Sequence, residues 1–305
     1  MIYRSLPQCR ASGRWWLAVL ASLLALGAQA GDRYWPPIVD PPTGKHTPGR
    51  FVWGDLVTSD VAAAADFYGK VFGWTFETYG PADDLKTYTV VLSGGVPIGG
   101  MVYASPKDDG KKKRGARWVG LMSVPDVQAA ASLVEKDGGK VLMPPRTLGE
   151  RGTVALFLDP EGGLFGVINS ATGDPEDYLA DDNQWLWIEL MASDPAKMAE
   201  FYKSIGAYDV VGGAASGESS GFRLKSGGYA RAGIQTKLDQ KYPTTWVPYL
   251  RVKSVADTVA SASAAGAKIV MQPTQMHGTT VAIIVDPTGA PVALAEWPAT
   301  SKEAK

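Results

Sequence analysis

The chain has 305 residues, 45% of them hydrophobic and 10% aromatic, with a formal net charge of −1. That length accommodates two domains of ordinary size, each able to bury its own core. A balance of 30 basic and 31 acidic residues excludes a general attraction to nucleic acid or to an anionic membrane surface.

The first thirty residues differ in kind from the rest. Arg4, Arg10 and Arg14 precede an apolar run from Trp15 to Leu26, and Ala28 and Ala30 supply small residues just before Gly31. This is the pattern of a secretory signal peptide cleaved after Ala30, and the apolar run is short for a membrane span of about 20 residues. The expected location is periplasmic or secreted, without membrane attachment once residues 1–30 are removed; an uncleaved anchor is the alternative. Cys9 is the single cysteine and falls inside that segment, so residues 31–305 hold neither a disulfide nor a thiolate ligand. Residues 31–50, with Pro36, Pro37, Pro41, Pro42 and Pro48, read as an extended leader.

An apolar strand, Phe51–Val57, follows and ends at Ser59-Asp60, a helix N-cap. The next segment places Ala64, Phe67, Tyr68, Val71 and Phe72 on one helical stripe, stopped by Gly73. Three strands are expected over Trp74–Thr78, Thr87–Leu92 and Gly99–Ala104. Lys111, Lys112, Lys113 and Arg114, with Arg117, form the one basic cluster and read as a solvated loop. A second unit then opens with a strand (Trp118–Ser123) and an alanine-rich helix (Val127–Lys136), and closes on strands around the turn Asp159-Pro-Glu-Gly162.

The whole series then recurs. Trp53, Asp55, Asp60, Phe67 and Tyr68 are answered by Trp187, Glu189, Asp194, Phe201 and Tyr202, each 134 residues later. Trp118 and Val127 are answered by Trp246 and Val255, 128 residues later, and the closing turn by Asp286-Pro-Thr-Gly289. A period this long means tandem domains rather than a solenoid. The chain is therefore read as α+β, with β-α-β-β-β written four times: a first domain over 51–170, a linker over 171–183, a second domain over 184–298 and a polar tail over 299–305.

The Asp…Phe-Tyr…Gly-Trp blocks, the helix ending in Gly-Gly-Lys-Val and the Asp-Pro-x-Gly turn resemble the vicinal oxygen chelate superfamily, which includes glyoxalase I, bleomycin-resistance proteins and extradiol dioxygenases. The resemblance covers residues 51 to 298 and implies a curved sheet per domain whose concave face holds the ligand. It also implies metal ligands at set places. One lies on the first strand of a module, seven residues before the capping Asp, and another on the last strand, seven after the Asp of the turn. Those positions hold Trp53, Val119 and Gly166 in the first domain and Trp187, Val247 and Ala293 in the second. None ligates a divalent metal, so no cofactor is expected. His46 and His277, the only histidines, stand alone in a leader and a turn.

Strand alternation puts Asp55 on the face of Trp53 and Glu189 on the face of Trp187. Each carboxylate is read either as paired with an arginine or backbone donors, or as a general base or an anchor for a cationic ligand. Trp53, Trp187, Tyr249 and Tyr103 are the aromatic candidates for stacking on a ligand, and Arg151 is read as an exposed loop residue near a cup rim. The expectation is a monomer, its two domains packed together, binding a small aromatic or cationic molecule. The alternative is a lyase, isomerase or dioxygenase whose non-standard metal site uses Asp55 or Glu189.

Overall fold

A computed structural model of the chain describes residues 34–80, 87–104, 115–213, 221–276 and 278–297. The proposed signal segment, the lysine cluster Lys111–Arg114, His277 and the tail lie outside the described residues. The first β-α-β-β-β module comprises β1 (Phe51–Thr58), α1 (Val61–Phe72), β2 (Thr75–Tyr79), β3 (Tyr88–Ser93) and β4 (Val96–Tyr103). The second comprises β5 (Arg117–Ser123), α2 (Val127–Lys136), β6 (Lys140–Thr147), β7 (Gly152–Leu158) and β8 (Leu164–Ser170). The third and fourth repeat the pattern as β9 (Trp185–Ala192), α3 (Pro195–Gly206), β10 (Asp209–Gly212), β11 (Phe222–Ser226), β12 (Tyr229–Thr236), then β13 (Thr245–Arg251), α4 (Val255–Ala264), β14 (Lys268–Met276), β15 (Thr279–Val285) and β16 (Pro291–Ala295). The fold is α+β, two eight-stranded sheets carrying four helices among the described residues.

Local chemistry sets the helix ends. Asp60 accepts from the Ala63 N–H at 2.9 Å and Asp194 from the Lys197 N–H at 3.1 Å, so each caps its helix. Gly73 closes α1 in the left-handed region.

In the first sheet the order is β2-β3-β4-β1-β5-β8-β7-β6, and the second sheet repeats it with β10-β11-β12-β9-β13-β16-β15-β14. The two modules of a domain join where β1 runs antiparallel to β5, and β9 to β13. Val102 on β4 and Met143 on β6 line the same small cavity although five places separate their strands. A flat sheet would hold them about 24 Å apart. The sheet therefore curls into a cup.

Helices and outer sheet faces of the two domains interleave in shared cores. Phe67, Tyr68 and Trp118 pack with Val255, Ile284 and Leu294, while Phe165 and Val167 pack with Phe201, Tyr202 and Trp246. The repeated motif residues hold this arrangement. Tyr68 donates to Asp286 at 3.0 Å and accepts from Trp118 Nε1 at 2.7 Å. Tyr202 donates to Asp159 at 3.0 Å and accepts from Trp246 Nε1 at 2.9 Å. Each turn aspartate also accepts backbone N–H groups of its own turn, so one carboxylate fixes a turn in one domain and a helix in the other.

The leader is more than a connection. Residues 43–50 zip onto 172–177 through Thr43 N–H to Thr172 O (3.0 Å), Asp174 N–H to Lys45 O (2.7 Å) and Thr47 N–H to the buried Asp174 carboxylate (2.6 Å). Asp177 then bridges Arg50 (3.2 Å) and Arg231 (2.7 Å), tying leader, linker and second domain together. No helix among the described residues is long and apolar enough to cross a membrane.

Candidate functional site: one filled cup and one open cup

The alternation of β1 turns Trp53, Asp55 and Val57 into the first cup. Asp55 is buried and accepts from the Tyr88 hydroxyl at 2.5 Å, from Trp53 Nε1 at 3.1 Å and from Arg151 Nη1 at 3.1 Å. Gly100 makes room for this cluster, since a Cβ there would stand 1.8 Å from the Tyr88 hydroxyl and 2.8 Å from Asp55 Oδ1. Arg151 is fully buried rather than exposed, which corrects the loop reading of that residue. Its guanidinium carbon lies 4.4 Å from the Tyr88 ring centre and 5.2 Å from those of Trp53 and Trp35. Burial disfavours the Arg151 cation, yet the Tyr88 hydroxyl and Asp55 carboxylate beside it more than offset this and raise its pKa. Burial likewise pushes the Tyr88 phenol far above its ordinary value, so it is a donor at neutral pH.

The leader closes this cup. Trp35 and Ile38 are 4% and 3% exposed within the cluster formed by the cup's own side chains, and the Pro36 carbonyl accepts from Arg151 Nε at 3.2 Å. Tyr34 stacks on Tyr79 at the rim, with ring centres 5.6 Å apart. What remains is a cavity of about 30 Å³, lined by Trp35, Asp55, Arg151 and aliphatic side chains. That is room for about one or two waters and no more. Arg151 Nη2 is buried without a hydrogen-bond partner.

In the second cup β9 presents Trp187, Glu189 and Met191 on the equivalent face, each only half-buried. Tyr249 donates to Glu189 at 2.5 Å, held as a donor because burial and the Glu189 carboxylate push its pKa far up. Gly233 clears the space for this carboxylate, a Cβ there falling 2.7 Å from Glu189 Oε1. Met271 and Met276 on β14 pack at the edge of the same apolar cluster. Eight residues before the turn aspartate, where the first domain has Arg151, the second has Gly278, with open space where its Cβ would be. Among the described residues no Lys, Arg or His forms an ion pair with Glu189, and no leader segment covers the face.

Tyr103 pairs with Thr58 on the face opposite Asp55; Val102, not Tyr103, points into the cup. Register also places Leu121 and Tyr249, rather than Val119 and Val247, beside Trp53 and Trp187. The rows that cross the cups are then Trp53–Leu121–Gly166 and Trp187–Tyr249–Ala293. His46 sits 3.7 Å from Asp174 in the leader contact and belongs to neither row. No group of three or more His, Cys, Asp or Glu side chains converges among the described residues. Among the described residues each cup holds one carboxylate, one of them already neutralised by a buried guanidinium, and that donor set does not fit a resident divalent ion. Trp35 and Tyr88 escaped sequence reasoning, and Arg151 was placed near a cup rim but read as exposed. The available signal was Trp35 and Ile38 themselves, large apolar residues in a segment read as an extended leader.

Residues 49–167 match the model of the Glyoxalase/Bleomycin resistance protein/Dioxygenase superfamily. The putative glyoxylase CFP32 of Mycobacterium tuberculosis is 25% identical over 253 residues, covering 82% of this chain and 95% of that protein. A glyoxylase-like domain-containing protein of Didymella fabae is 31% identical over 119 residues, 37% of this chain and 88% of its own length. Among solved structures, the Mn(II)-bound glyoxalase from Novosphingobium aromaticivorans superposes with a TM-score of 0.56 at 19% identity, covering 82% of each chain, a likeness of fold.

Proposed function

Because the chain belongs to the glyoxalase/bleomycin resistance/dioxygenase superfamily, whose cups are the places to look for a ligand, we propose that it binds a small aromatic or cationic molecule in its second cup, without a resident metal. The observation that carries this reading is the contrast between the cups. The first is filled by Arg151 and sealed by Trp35. The second leaves Trp187, Glu189 and Met191 half-exposed on the same face. An indole, a thioether and a carboxylate held by Tyr249 suit a ligand with a flat apolar body and a positive charge.

The chemistry available to these residues is binding and orientation. Glu189 accepts hydrogen bonds or balances a charge, Tyr249 fixes its rotamer, and Trp187 offers a ring face. Export through the segment 1–30 belongs to the same proposal, and N-terminal sequencing of the protein from the cell envelope or medium tests it, Gly31 being the expected first residue.

The binding reading is tested by fluorescence titration of the full chain with proflavine, a planar aromatic cation, and with the neutral dye Nile red. Saturable binding that quenches tryptophan emission and is weakened in Trp187→Ala is expected. Absence of saturation by either dye, or equal binding by the Trp187→Ala variant, contradicts the proposal.

A further inference from the structure

The first cup contains, built from its own chain, a picture of what the second cup lacks. Three members of the cluster have counterparts: Trp187 for Trp53, Glu189 for Asp55, and Tyr249 for Tyr88 as the phenol that donates to the carboxylate. The fourth member has none, since Gly278 stands in the place of Arg151. Resting on the reading of the second cup as the ligand site, we propose that its ligand supplies this missing member: a planar, delocalised cation of the guanidinium or amidinium class, lying against Trp187 with its N–H groups on Glu189.

Geometry in the first cup explains why a planar cation is favoured over an ammonium. The Arg151 guanidinium meets the Asp55 carboxylate with Nη1, at 3.1 and 3.4 Å from the two oxygens, while its central carbon lies over the rings of Trp35, Trp53 and Tyr88 at 4.4–5.2 Å from their centres. A guanidinium is weakly hydrated, stacks on rings and offers N–H groups in a fixed plane, whereas an ammonium is a compact, strongly hydrated point charge. The second cup keeps the elements that such a plane requires. Glu189 is one methylene longer than Asp55 and comes from the same strand position, and nothing lies within 4 Å of where a Cβ on Gly278 would be. Arg223 lies opposite Gly233, which in turn pairs with Glu189, so it stands two strands away in the same row.

The experiment is calorimetric titration of the full chain with benzamidine, its neutral isostere benzamide and butylammonium, with Nile red as a neutral reporter of the cup. Benzamidine is expected to saturate and to displace Nile red, with benzamide and butylammonium each at least about tenfold weaker. Glu189→Gln should weaken benzamidine about tenfold or more, because a charged hydrogen bond is lost, whereas Nile red should still saturate the cup. Equal affinity for benzamide, or benzamidine affinity retained in Glu189→Gln, overturns the cation assignment while Nile red binding keeps the cup as the site. Failure of both benzamidine and Nile red to bind overturns the cation assignment and the binding reading together.

Discussion

Arg151 Nη1 lies 3.1 Å from the Asp55 carboxylate inside the first cup, and both side chains are withdrawn from water. This pair decides what the first domain is able to do. A carboxylate that reads from sequence as a base or a cation anchor already has its cation, and the cation is roofed by three aromatic rings.

Cutting Arg151 to methionine leaves the Asp55 charge buried and unbalanced, and should cost about 3–5 kcal/mol. Replacing the pair together, Arg151→Met with Asp55→Leu, should cost much less than the two single changes added, because no orphan charge remains. Urea denaturation of the three variants measures both. A single Arg151→Met cost below about 1 kcal/mol contradicts the account.

Trp35 is the plug of that cup, and Trp35→Ala should destabilise the protein by about 3–5 kcal/mol. The same change empties the space above Arg151. Nile red should then bind two per chain instead of one, read by titration under native conditions. An unchanged stoichiometry would mean that the first cup collapses when its lid is removed.

Tyr68 and Tyr202 carry equivalent links between the domains. Each Tyr→Phe change removes the donor to a buried aspartate and the acceptor of a tryptophan N–H, at about 1–3 kcal/mol. The two networks belong to separate cores, so the double variant should equal the sum within about 0.5 kcal/mol. Phe67→Ala and Phe201→Ala should each cost about 3–5 kcal/mol by the cavity they leave.

Burial raises the pKa of Asp159 to about 6, although the Gly163 N–H and the Tyr202 hydroxyl favour its charged form. The folded protein therefore holds this proton more tightly than the unfolded chain, so the group's contribution is fully present below about pH 4 and is lost as pH rises through 6. The unfolding free energy of the wild type minus that of Asp159→Asn should grow, by up to about 3 kcal/mol, as pH falls from 7 to 4. A difference that is flat over that range contradicts the burial of this carboxylate at the domain interface.

The fold was legible because its determinants are local and repeated. Asp60 and Asp194 cap helices where the spacing demands, and Tyr68 and Tyr202 fall on the buried stripes. The two cups were legible only as faces. Alternation placed Asp55 and Glu189 on the concave side, but nothing within β1 or β9 tells a filled cup from an open one. That difference arises from residues distant in sequence: Arg151 lies 96 positions from Asp55, and its carbonyl partner Pro36 lies 115 positions from Arg151. Tyr103 was misplaced because β4 pairs with β1 so that Gly100 and Val102 share the face of Asp55 and Tyr103 does not, a register that neither strand sets alone.

On the proposed reading, one open cup per chain takes its ligand without a divalent metal. Calorimetric titration of the EDTA-treated full chain with proflavine tests it most directly. The account predicts saturation at one ligand per chain, unchanged when Mn(II), Fe(II) or Zn(II) is restored. Binding at two per chain, or only after a divalent metal is added, would contradict it.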